Sequence, residues 1–104
     1  MKRQEILDMV AGGCLDKTVV ENLFKSGFVF NYSSNLASSW VIVDLLRKSG
    51  IYLTITMDRT IYRIEAYSEE HMDDIEELEG ESLPLLICKI ALLCNMYDFV
   101  TLEV

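Results

Sequence analysis

An α+β fold in a single domain, residues 1–104, is what this sequence predicts. Three features carry the prediction. Ile51 to Met57 alternates apolar and polar side chains strictly, the two-residue period of a strand with one buried face. Leu83 to Met96 is apolar almost all round, as befits a helix covered on more than one side. Stretches 2–11, 15–24 and 35–49 place apolar residues three and four apart, which is helical spacing.

The first helix is marked by Ile6, Leu7, Met9 and Val10, and Gly12-Gly13 separates it from the second. Leu15, Val19, Val20, Leu23 and Phe24 define that second helix, with Asp16 as its cap and Gly27 as its stop. Phe28-Val29-Phe30-Asn31-Tyr32, aromatic and β-branched, reads as a strand entering a polar turn. Ser33-Ser34-Asn35 then supplies capping side chains for a helix whose core stripe would be Leu36, Trp40, Val43 and Leu46 or Arg47. Gly50 ends it. A two-residue turn at Asp58-Arg59 would set Ile55 opposite Tyr62, Leu53 opposite Ile64 and Ile51 opposite Ala66, with both apolar rows on one side. The turn lacks the glycine that tight hairpins favour, and a four-residue connection would change the register.

The other face of the hairpin would show Tyr52, Thr54, Thr56, Ile61, Arg63 and Glu65, a solvated surface or a ligand surface in which tyrosine stacks a base and arginine neutralises phosphate. From Ser68 to Glu81, Met72, Ile75 and Leu78 recur every third residue, so a short acidic helix and a loop fit equally. Ser82 caps the final helix, with Pro84 in its first turn where a missing N–H costs nothing. Phe99 to Val104 alternates as an edge strand or a partner-binding tail would.

The net charge of −8 is concentrated. Nine acids and no Lys or Arg lie between Glu65 and Glu81, leaving eight acids against nine bases elsewhere. Without a basic stripe to displace phosphate counterions, double-stranded nucleic acid is not an expected partner. A membrane span is excluded by the shortness of the uncharged runs. Glu5 and Asp8 stand where a signal peptide would be apolar, so a cytoplasmic location is expected. In so short a chain the core is thin, and an all-round apolar helix favours a homo-oligomer. Cys14, Cys88 and Cys94 read as buried thiols, since Cys88 and Cys94 lie about 9 Å apart along one helix, too far to bridge.

No phosphate-binding glycine loop, Cys-x-x-Cys or histidine pair is present, and His71 lies alone in the acidic run. No cofactor, no metal and no catalytic residue are expected. Lys89 stands inside the apolar final helix, either snorkelling to its edge or aimed into a pocket to meet an anion.

Tyr32-Ser33-Ser34-Asn35-Leu36-Ala37-Ser38-Ser39-Trp40, with Val43 and Leu46 behind it, resembles a helix opening of the small phage ABA sandwich domain proteins. Glu81 to Leu93 resembles their closing helix, with Lys89 where that family commonly has arginine. The resemblance implies a small antiparallel sheet flanked by helices and a phage or prophage origin, hence the cytoplasm of an infected or lysogenic bacterium. The domain is also similar to the Thoeris anti-defence proteins of the first type, which sequester cyclic ADP-ribose isomers, and in some cases cyclic oligonucleotides, without degrading them. That similarity implies a ligand-binding role for Tyr62 and Lys89. The two phosphates and the adenine of such a nucleotide would further draw on Arg63 and Arg59 as cations and Tyr52 as a stacking ring. The competing expectation is an acidic protein-binding inhibitor that occupies the basic groove of a host nuclease or CRISPR effector by charge mimicry.

Overall fold

The computed structural model describes residues 1–24 and 27–97. Helices α1 (Arg3–Asp8), α2 (Gly13–Val19), α3 (Leu36–Lys48) and α4 (Leu83–Met96) pack with a three-stranded antiparallel sheet, β1 (Ile51–Met57), β2 (Tyr62–Ser68) and β3 (Asp73–Gly80), in the order β1-β2-β3. A π-helical turn, Val20–Phe24, extends α2. The α+β class is therefore as the periodicities indicate.

The core forms around α4. Leu86, Ile87, Ile90, Ala91 and Leu93 are buried among Ile6, Leu15, Val19, Leu23, Ile42, Leu46 and the inner residues Ile51, Ile64 and Ala66 of the sheet. Sheet, α1, α2 and α3 thus cover α4 from within one chain, and its all-round apolar surface does not require a second subunit. Two charged clamps hold the short α1 to this framework. At its start Arg3 donates from both terminal guanidinium nitrogens to the Glu76 carboxylate, Nη2 to Oε1 at 2.7 Å. At its last turn Lys89 Nζ donates to the Leu7 carbonyl at 2.7 Å.

The hairpin keeps the predicted faces but not the two-residue turn. Ile51 lies opposite Ser68, Leu53 opposite Ala66, Ile55 opposite Ile64 and Met57 opposite Tyr62, the register of a four-residue connection. Asp58 explains the choice. Its carboxylate accepts from the Thr60 and Ile61 amides and from the Thr60 hydroxyl, while its own N–H donates to the Ile61 carbonyl. A side chain that closes the turn this way spares it the left-handed residues a two-residue loop demands.

The acidic run is not a helix: a turn at 69–72 leads into residues 73–80, which are the third strand. The three-residue recurrence has a local cause in the β-bulge between Ala66 and Tyr67, where β2 meets β3. Ala66 pairs with Glu76 and Tyr67 with Asp74, so Ile75 is the extra residue and packs on the core beside Leu78. Residues 28–32 form no strand. They are anchored by Tyr32, which stacks on Phe24 at 5.6 Å, and by buried Ser33, whose amide donates to buried Asp16 at 2.7 Å. Asp16 thus ties the loop to α2 instead of capping that helix, whose N-cap is Gly12. Asn35 caps α3 as expected, accepting from the Ser38 amide at 3.0 Å. The buried stripe of α3, however, is Ser39, Ile42 and Leu46, so Leu36 and Trp40 face outward. The predicted tail strand at 99–104 lies outside the described residues.

Candidate functional site

Among the described residues all helices lie on one side of the sheet, and the strand residues of the other face are exposed or half-buried. Three cross-strand rows build that face: Thr56, Arg63 and Glu79; Thr54, Glu65 and Glu77; Tyr52, Tyr67 and Asp74. Alternation alone dictates which side chains appear there, since residues directly opposite one another share a face. The rows carry four carboxylates, and Arg63 is the one cation in the three strands.

Arg63 is paired with two of these carboxylates. Its Nε lies 2.8 Å from Glu77 Oε1 and its Nη2 lies 3.0 Å from Glu79 Oε1, with all three side chains about half exposed. The Tyr52 hydroxyl donates to Glu69 Oε2 at 2.9 Å, and that hydrogen bond holds the phenol above its ordinary pKa. At the hairpin end, Thr56, Met57, Asp58, Ile61, Arg63 and Glu79 line a cavity of about 160 Å³. Asp58 is held below the usual carboxylate range by the Thr60 and Ile61 amides, so it remains an anion near Arg63 and Arg59.

The five residues named for a nucleotide do not share one surface. Tyr52 and Arg63 lie on the open face, and Arg59 is exposed in the adjoining turn. Tyr62 is on the inner side, half-buried against the core and opposite Gly80. Lys89 is on α4, half-buried, with its ammonium on the Leu7 carbonyl. Glu77 and Glu79, which neutralise Arg63, were hidden from sequence reasoning because the third strand was. The readable signal was the alternation of Glu77 and Glu79 around Leu78, with Gly80 as a stop.

Cys88 and Cys94 are buried free thiols, each pushed up to about 12 mainly by desolvation, whereas Cys14 is an exposed free thiol. Among the described residues no group of three His, Cys, Asp or Glu side chains is placed to hold a metal ion. Among them also, no helix is long and apolar enough to cross a membrane.

A second concavity, of about 340 Å³, lies on the helical side between Phe30, Tyr32, Ala37, Ser38 and Val41. Its lining carries no charge. No protein-family model matches this chain, and neither a curated protein nor a solved structure matches it.

Proposed function

We propose that the protein acts by binding, without chemistry, as an anti-defence protein of a phage or prophage in the cytoplasm of its bacterial host, and that its ligand is a basic protein surface. The origin rests on the resemblance of residues 32–40 and 81–93 to phage ABA sandwich domains. The ligand class rests on one observation: the acidic run contains a strand that presents Asp74, Glu77 and Glu79 beside Glu65 on one sheet face, where Arg63 is the one strand cation and pairs with Glu77 and Glu79. Carboxylates spaced along a sheet offer a partner a fixed pattern of charge, which steers association and selects a basic groove.

Sequestration of a cyclic ADP-ribose isomer is the second reading, favoured by the hairpin-end cavity that Arg63 lines beside the turn bearing Arg59. Against it, a phosphate at Arg63 would meet the carboxylates of Glu77 and Glu79 already paired with that guanidinium, and Lys89, with its ammonium on the Leu7 carbonyl, lies away from the hairpin-end cavity lining. One experiment separates the two. Wild type and a variant carrying Glu65→Gln, Asp74→Asn, Glu77→Gln and Glu79→Gln are incubated with lysate of bacteria whose immune sensors are activated. Captured proteins, and small molecules released by heat, are then identified by mass spectrometry. Capture of a basic protein by wild type, abolished in the variant and by high salt, is expected. Release of an intact cyclic nucleotide from both proteins, with no such capture, would overturn this reading in favour of the second.

A further inference from the structure

No charged side chain occurs from Gly27 to Val43 in a chain of net charge −8. In the fold six of its large apolar side chains come to the surface. Phe28, Phe30 and Trp40 are 84%, 54% and 51% exposed, and Val29, Leu36 and Val41 lie about half in water. The concavity between Phe30 and Val41 joins the extended segment to α3, so the two halves are continuous. Of the Tyr32 to Trp40 motif, Tyr32, Ser33, Asn35 and Ser39 are accounted for by burial and capping. Trp40 is not, because the fold gains little from an indole that stands half in water.

We infer that this face is the contact between two copies of the chain, related by a two-fold axis, with Trp40 of each entering the groove between Phe30 and Val41 of the other. A two-fold contact requires one surface to carry both the projection and the hollow that receives it. Here half-exposed Trp40 follows Ala37 by less than one helical turn and adjoins Val41, both of which line a 340 Å³ hollow, and exposed Phe28 stands two residues before its third wall, Phe30. The area suffices. At about 150–250 Å² per aromatic side chain, the three rings leave on the order of 400 Å² exposed, and the three aliphatic residues raise the apolar total to roughly 600 Å². That is the top of the range for a monomer's largest patch, about 300–600 Å². In an interface about 65% apolar it corresponds to roughly 900 Å² per partner, against the ~800 Å² of a standard one. Charge points the same way, because a face without ions offers nothing to select a charged partner. The strongly acidic sheet face lies away from it, so pairing through the helical layer keeps the two sets of carboxylates apart.

Trp40 is the chain's single tryptophan, so its emission reports on this contact alone. Sedimentation of the full chain at about 1 to 100 μM should give twice the 11.9 kDa chain mass, with Trp40 emission moving to longer wavelength on dilution as the pair separates. Trp40→Lys and Val41→Lys, both at exposed positions, should keep the circular dichroism of the fold and weaken the pair on the order of thirtyfold or more, the loss expected of an interface hot spot. A wild-type monomer throughout that range would overturn the inference and leave the face to a different protein. A dimer that persists in both lysine variants, with Trp40 emission of the wild type independent of concentration, would overturn it equally.

Discussion

Replacing Lys89 with methionine separates a structural lysine from a ligand lysine. Its ammonium donates to the Leu7 carbonyl at 2.7 Å and is half-buried on α4. A hydrogen bond from a charged donor is worth about 1.5–3 kcal/mol, and at this partly exposed site water recovers some of it. Methionine keeps the packing of the stem and removes the cost of desolvating a charge, which offsets the loss further. The expected net effect is about 1 kcal/mol, or a fall in Tm of roughly 4–8 °C for a domain of this size. The damage should also be local. α1 has six residues, too few to persist alone, and Lys89 holds its last turn. Urea unfolding followed by circular dichroism should therefore show a lower midpoint at unchanged slope, and hydrogen exchange should quicken in residues 6–9 before it does in α4. Unchanged stability and unchanged exchange would refute the clamp. If the same variant then lost affinity for cyclic ADP-ribose measured by calorimetry, Lys89 would be the ligand cation that the resemblance implies.

Two further outcomes follow from the core. With pKa values raised to about 12, Cys88 and Cys94 stay protonated through neutral pH, so a bulky thiol reagent should label Cys14 alone in the native protein; rapid labelling of all three would contradict the burial. The Arg3–Glu76 pair, with side chains 43% and 8% exposed, lies between a surface and a buried ion pair, so a double-mutant cycle of Arg3→Ala and Glu76→Gln should give a coupling of about 1–3 kcal/mol, and a value near zero would show that the clamp is not formed in solution.

What the sequence made legible was decided over short range. The alternation of 51–57 and the apolar beat of 62–66 place the right residues on the buried face, because any even shift of register preserves the faces. α4 is unmistakable from its composition. The failures occur where two elements decide together. Ile75 and Leu78 share a side only because a bulge against β2 inserts one residue, and three-residue spacing read in isolation imitates a helix. α3 is apolar on two faces, and the buried one is marked by Ser39, a small hydroxyl that back-bonds to the Leu36 carbonyl, rather than by the larger Trp40. The fate of the cations was illegible for the same reason. Lys89 meets Leu7 across 82 residues and Arg63 meets Glu79 across 16.

The two proposed binding surfaces draw on different elements, the acidic one on the strands and the uncharged one on α3 and the segment before it, and that arrangement has a consequence for the proposed inhibitor. The acids stand on the open face of the sheet, while the uncharged aromatic face belongs to the helical layer. Two copies joined through Trp40 would turn their sheets outward and present two acidic faces on one particle. A target with two basic grooves, or an oligomeric one, would then be held at an effective concentration set by the dimer, with avidity about 10²–10⁴ beyond a single contact and no new contact needed. Trp40→Lys would in that case weaken capture of such a target while leaving every carboxylate in place. The acid-to-amide variant would do the reverse, abolishing capture and leaving the dimer intact.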